Sequence, residues 1–249
     1  DTRIHSPQQI EHLAHLPVLG TVPRGLLSLD DFGRTNGMGS SKPIEEAYRL
    51  LGINLQAFRE DVPLQTILIT SAVSEEGKST VAANLAQTLA ERGQTVFLVE
   101  SDMRRPTMEK IFGIDNGLGL SSLLAERTSL NGTVLGQVMH PAEQPSLFVI
   151  GGGPEAPNPT ALLASPPMEK LLDYLGAQGQ TTLLDAPPVL GMGDVSVLVP
   201  KVDGVILVVG QAQSKREQVL AALKQLQASR ARVVGIVFLK ESGKDWGYE

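Results

Sequence analysis

Thr66-Ile-Leu-Ile-Thr70 runs directly into Ser71-Ala-Val-Ser-Glu-Glu-Gly-Lys-Ser-Thr80. The first five residues read as a short strand buried on both faces. From Ser79 to Arg92 the apolar residues recur with helical period. Residues 71–80, from the end of the strand into the helix, carry the GK[ST] half of a Walker A loop, with Ala72 where the strict pattern has its first glycine. Such a loop must turn tightly, so that backbone N–H groups and a helix N-terminus point at phosphates. Ala72, Glu76, Gly77, Lys78, Ser79 and Thr80 are the candidate nucleotide-binding residues, with Lys78 reaching the β and γ oxygens and Ser79 binding Mg²⁺. Glu75 places a negative side chain where a small residue would let the backbone approach a triphosphate.

Short apolar runs recur along the chain, at Val96–Val99, Leu147–Ile150, Thr181–Leu184, Val205–Val209 and Val233–Phe238. Helical patterns lie between them at Pro166–Leu175 and Lys215–Ala228, and one precedes them from Pro43 to Arg59. Strands alternating with helices predict an α/β fold with a mostly parallel, doubly wound sheet flanked by helices. In such a sheet the ligand sits beyond the carboxyl ends of the strands, so the chemistry belongs there. Val96–Val99 ends in Glu100-Ser-Asp102, and residues i and i+2 on a strand face one side. The two carboxylates can therefore hold water on a metal or take a proton from an attacking hydroxyl; a solvated polar strand end is the alternative. Thr181–Leu184 ends in Asp185-Ala-Pro-Pro188, the form of a Walker B carboxylate that holds the Mg²⁺ shell. Asp194 can report on the γ-phosphate or cap the helix that follows. Gly151–Gly153 reads as a flexible turn or an anion nest.

Of 249 residues, 21 are Lys or Arg, 27 are Asp or Glu and none is Cys, for a net charge of −6. The absence of cysteine excludes a disulfide framework, thiolate metal sites and cysteine catalysis. The acidic balance argues against a nucleic-acid partner, which a basic face would recognise. The longest apolar stretch falls short of the roughly 18–20 residues that span a bilayer. Residues 1–43 are punctuated by Pro and Gly and read as an arm or linker with one apolar anchor, Leu16-Pro-Val-Leu-Gly20. Residues 44–239 form the expected domain and 240–249 a tail. The chain starts at Asp1 rather than Met, and is expected to be a fragment or a processed form.

Together these segments resemble the bacterial tyrosine kinases, relatives of the partitioning and division-site ATPases with deviant Walker loops. The resemblance rests on Glu76-Gly-Lys-Ser-Thr80, Ser101-Asp-Met-Arg-Arg-Pro106, Gly153-Pro-Glu-Ala-Pro-Asn-Pro159 before Leu162-Leu163, and Asp185-Ala-Pro-Pro-Val-Leu190. It implies a P-loop NTPase fold and Mg·ATP-dependent phosphorylation of tyrosines between neighbours in a ring, in polysaccharide synthesis or export. Lys78, Glu100, Asp102 and Asp185 become the candidate catalytic residues, and Ser79, Asp102 and Asp185 the candidate Mg²⁺ holders. Leu16–Gly20 with Pro23 is similar to the segment after the second membrane helix of a chain-length-determining co-polymerase. That implies a membrane co-polymerase and a tyrosine phosphatase as partners, and a place at the cytoplasmic face of the bacterial inner membrane. A nucleotide-binding regulatory scaffold is the alternative. A partitioning ATPase is disfavoured, because no lysine lies between Ser71 and Gly77.

Several positions depart from the family pattern. Glu100 stands in place of Asp, and Leu239 follows the expected last strand where an adenine-contacting Asn is common. Glu46 and Arg49 match the ring-forming Glu-x-x-Arg-x-x-Arg helix, but Gly52 replaces its last Arg. The tail holds a single candidate acceptor, Tyr248, while Tyr48 and Tyr174 lie in helices as expected packing residues.

Overall fold

The computed structural model describes residues 1–24, 42–61, 63–125, 132–179 and 181–241. The chain opens with helix α1 (Pro7–Ala14), strand β1 (Val18–Arg24) and helix α2 (Lys42–Asp61). Strand β2 (Thr66–Ser71), helix α3 (Lys78–Glu91) and strand β3 (Val96–Glu100) follow. Short helices α4 (Met108–Phe112), α5 (Leu120–Ala125) and α6 (Gly132–Val138) lead to β4 (Met139–Pro141) and β5 (Leu147–Ile150). Then come α7 (Pro159–Leu163), α8 (Pro166–Gln178), β6 (Thr181–Asp185), α9 (Asp194–Leu198), β7 (Gly204–Gly210), α10 (Arg216–Ala228) and β8 (Val233–Glu241).

The strands make one sheet in the order β1-β8-β7-β2-β6-β3-β5-β4, parallel throughout except where β4 runs against β5. Alternation along each strand feeds two apolar layers. Ile67 and Ile69 of β2 enter one layer, where Tyr48, Leu51 and Leu55 of α2 meet Val81, Leu85 and Leu89 of α3. Leu68 enters the other, with Ile10 of α1, Met168 and Leu171 of α8, and Val219 and Leu226 of α10. Each of these buried aliphatic side chains contributes about 1.5–3 kcal/mol. Helix α3 is buried without a break from Val81 to Ala90, which its alanine-rich sequence permits on every side. It therefore stands close behind the centre of the sheet and carries the phosphate loop at its N-terminus.

Residues 1–24 do not behave as the expected arm. Pro7 starts α1 behind the Ser6 cap, which accepts from the Gln9 amide, and β1 pairs in parallel with β8, Val22 beside Leu239. Leu19 and Val22 are core residues, and Asn54 of α2 donates to the Leu19 carbonyl at 2.8 Å. Pro23 and Gly20 obscure this strand in the sequence, yet both are tolerated on an edge. At the other end β8 continues through Leu239 to Glu241, so Leu239 lies within the last strand rather than after it. Residues 242–249, with Trp246 and Tyr248, lie outside the described residues, as do 25–41 of the expected linker. Among the described residues, no helix is long and apolar enough to cross a membrane.

Candidate active site

Strands β2, β6 and β3 are neighbours, with Asp185 in register with Ile69 on one side and Glu100 on the other. Their carboxyl ends therefore bring the phosphate loop, Asp185 and the Glu100–Asp102 segment together. The Asp185 carbonyl locks the last two, accepting from the Ser101 amide at 2.8 Å, the Ser101 hydroxyl at 2.9 Å and the Asp102 amide at 3.1 Å.

Lys78 is the centre of the cluster. Its ammonium donates to Asp102 Oδ2 at 2.9 Å and to Ser79 Oγ at 3.3 Å, and stands 3.5 Å from Asp185 Oδ1. Burial pulls the Lys78 pKa down, but the charges of Asp185 and Asp102 outweigh it and leave the net shift upward. Asp185 is fully buried, and burial pushes its carboxyl up against the opposing charge of Lys78. Although Lys78 and Ser79 approach it, neither Asp185 oxygen receives a well-formed hydrogen bond. A buried carboxylate with open lone pairs beside a hydroxyl suits Mg²⁺, a hard cation that takes one or two protein carboxylates and completes its shell with water and phosphate oxygens. Among the described residues there is no group of three His, Asp or Glu that would hold a metal unaided.

The loop before Lys78 uses two left-handed residues, Glu75 at φ 69° and Gly77 at φ 85°. Gly77 is required twice over, because a Cβ there would stand 2.5 Å from Leu239 Cδ2 in addition to the strained φ. Leu239 is thus a buried prop behind the loop, with an apolar side chain that donates no hydrogen bond. The Glu75 side chain points outward, 84% exposed and 4.0 Å from Arg105, so it does not occupy the cradle. Ala72 is buried, with its carbonyl bound by the Leu190 amide, while Ser79 and Thr80 are half-buried at the start of α3.

Two expected site residues have other work. The Glu100 carboxylate does not pair with Asp102 at the phosphates; it accepts from the backbone N–H groups of Thr107, Met108 (2.9 Å) and Gly152 (2.8 Å). Its extra methylene is what lets it reach these donors from the strand end. Burial raises its pKa and the three N–H groups only partly offset that. The Glu76 carboxylate is buried under the loop, bonded to the Val73 amide at 3.0 Å and to the Ser214 hydroxyl. Gly151–Gly153 is no open anion nest, since the Gly153 amide is taken by Asn116 Oδ1 at 2.7 Å as the Gly152 amide is by Glu100.

Asp194 neither caps α9 through its side chain nor faces Lys78. It forms a two-point ion pair with Arg104, at 2.8 and 3.2 Å, and accepts from the Thr160 hydroxyl. Arg104, Asp194 and Thr160, like Glu76 and Ser214, come from segments 34–138 residues apart, so their pairing has no local sequence signature. On α2, Glu46 and Arg49 bond to each other one turn apart and are exposed, while Gly52 faces α3 beside Leu89 and Thr88. Tyr48 is buried in the core, as packing requires, but Tyr174 retains 38% exposure.

Residues 67–245 match the CobQ/CobB/MinD/ParA nucleotide binding domain. The chain is 33% identical to the tyrosine-protein kinase YwqD of Bacillus subtilis over 192 residues, 77% of this chain and 79% of that one. It is 34% identical over 245 residues to the putative tyrosine-protein kinase EpsB of Ralstonia solanacearum, covering 94% of this chain but only 32% of that protein, about a third of its length. The crystal structure of the chimerical protein CapA2B2 superposes with a TM-score of 0.84 at 30% identity, covering 96% of this chain and all of the other. With the phosphate loop, Asp102 and Asp185 gathered at three adjacent strand ends, the chain is a nucleotide-binding domain of the bacterial tyrosine-protein kinase family.

Proposed function

We propose that this domain transfers the γ-phosphoryl group of Mg·ATP to tyrosine hydroxyls, on its own tail or on a neighbouring copy, within machinery for polysaccharide synthesis or export. The observation that carries this reading is the Lys78 ammonium held between Asp102 and Asp185 at the mouth of the phosphate loop. The loop amides and the α3 N-terminus bind the phosphates. On nucleotide entry Lys78 exchanges a carboxylate for a phosphate oxygen and stabilises the charge that develops on the transferred group. Ser79 and Asp185 would hold Mg²⁺, which when bound neutralises the phosphate oxygens. Asp102, released from Lys78, orients the tyrosine hydroxyl and accepts its proton. Glu100 acts at one remove: by fixing the amides of residues 107, 108 and 152 it sets the course of the loop that carries Asp102.

YwqD and EpsB carry tyrosine-protein kinase in their names, which supports the reaction class. The resemblance of Leu16–Gly20 to a juxtamembrane segment supports a membrane co-polymerase partner at the cytoplasmic face of the inner membrane. The exposed Glu46 and Arg49 of α2 support assembly into a ring, which Gly52 in place of the last Arg weakens, and a tyrosine phosphatase would reverse the modification. A second reading, a nucleotide-binding regulatory scaffold, is favoured by the commitment of Glu100 to backbone donors, which leaves one carboxylate fewer for chemistry. Tyrosine-resolved mass spectrometry after incubation with Mg·ATP separates the two. Phosphate on Tyr248, absent from a Lys78→Ala control, is the expected result. Bound nucleotide without phosphotyrosine would favour the scaffold.

A further inference from the structure

We propose that the Glu76 side chain, acting with Ser214, holds the phosphate loop in its nucleotide-binding shape without itself touching the nucleotide, which makes Glu76 a positioning residue; the inference rests on the reading of this loop as a nucleotide site. Both side chains are fully buried. One Glu76 oxygen accepts from the Val73 amide at 3.0 Å, across the base of the loop. The other accepts from the Ser214 hydroxyl, which in turn accepts from the Gly210 amide at 2.9 Å, at the end of β7. The adjacent Gln213 donates to the Glu75 carbonyl at 2.9 Å. Two consecutive residues of the β7–α10 connection thus hold two consecutive residues of the phosphate loop, across 138 positions of sequence.

The held residues are where the loop is conformationally most demanding. Glu75 is a non-glycine in the left-handed region, and Gly77 is left-handed two residues on. Such backbone persists only where its surroundings over-determine it. The amides that would cradle phosphates lie on these same residues, so their directions follow the dihedrals that the buried carboxylate fixes. The connection is itself anchored, because the Ile4 amide donates to the Ser214 carbonyl at 3.0 Å and the Ala212 amide to the Ile4 carbonyl at 2.8 Å. A buried carboxylate accepting from a backbone amide and a hydroxyl is a strut of fixed length. Its loss leaves buried donors unpaired and frees the loop.

The test is the dissociation constant of Mg·ATP by calorimetry, together with kcat and KM for ATP, in the wild type, Glu76→Ala, Glu76→Gln and Ser214→Ala. Glu76→Ala and Ser214→Ala are expected to weaken Mg·ATP about tenfold and to raise KM by a similar factor, with kcat falling less than threefold. Glu76→Gln keeps an acceptor for the Val73 amide and presents an amide to a hydroxyl that can rotate, so it recovers most of the affinity. Should Glu76→Ala fail to fold by circular dichroism, Ser214→Ala, which removes a single hydroxyl, carries the comparison. Unchanged affinity in the alanine variants, or Glu76→Gln as defective as Glu76→Ala, overturns the inference. A wild type that binds no Mg·ATP overturns the nucleotide reading itself, and the inference with it.

Discussion

A lysine ammonium shared by two buried carboxylates is stable only because each partner excuses the burial of the others. Removing Lys78 leaves Asp102 and Asp185 facing each other with no counter-charge, and breaking a buried ion pair from one side costs about 3–5 kcal/mol. Lys78→Ala is therefore expected to abolish transfer and to lower stability by about 3 kcal/mol in urea at pH 7, while remaining folded. The sign of the pH dependence follows from Asp185, whose pKa is higher in the folded chain than in the unfolded one. Above both values the ionised group opposes folding; as pH falls through the folded value the native chain takes up the proton and that penalty vanishes. Without the Lys78 charge, which holds the Asp185 pKa down, that value rises further and the variant takes up the proton first. The stability difference between wild type and Lys78→Ala should therefore narrow as pH falls below neutral, and a difference that widened would contradict this account. Glu100 makes the opposite point about a conservative change. Glu100→Asp shortens the reach to the amides of 107, 108 and 152, leaves buried donors unsatisfied, and should cost about 1–3 kcal/mol by urea denaturation. A neutral result would mean that those donors have alternative partners.

At the level of elements, the phosphate loop depends on the strand behind it. Gly77→Ala meets both a left-handed φ, worth about 1–2 kcal/mol to an L-residue, and the Leu239 methyl of β8. We expect it to lose nucleotide binding and at least ~2 kcal/mol; Leu239→Ala, which empties a core position and is itself destabilising, should cost less in the Gly77→Ala background than in the wild type, because there it also removes the clash. An equal cost in both backgrounds would show that the left-handed φ and not the contact is limiting. The edge strand supplies a second case. Since Leu19 is buried between β1 and α2, Leu19→Ala should cost about 2–3 kcal/mol in thermal or urea unfolding. Were residues 18–24 a detachable arm, the same substitution would be silent. Neither expectation could be framed from the sequence, which marks Leu239 only as a departure from Asn and Leu19 only as part of an apolar anchor, without the partner of either.

For the whole molecule, ligand binding should be visible as stability. Saturation with Mg·ATP at one hundred times its dissociation constant adds about 2.7 kcal/mol. For a chain of this size that is a rise in Tm of roughly 5–11 °C, taking about 2–4 °C per kcal/mol. The rise should shrink when EDTA removes Mg²⁺, and an undiminished shift would separate nucleotide binding from the metal. The parallel sheet and the phosphate loop were legible in the sequence, and so was the nearness of Lys78, Ser79 and Asp185 at its mouth. Each depends on neighbours within about ten positions: a continuous apolar run, a turn, a helix start, an acid at a strand end. The roles of Glu76 and Glu100, the pairing of Asp194 with Arg104, the prop formed by Leu239 and the strand at Val18–Arg24 were decided only by the tertiary structure. In every one of these the partner is another segment of the chain, brought to the carboxyl edge of the sheet or to its margin by strand order. A carboxylate's function there depends on which donors its side-chain length can reach, and residue type alone does not encode that distance.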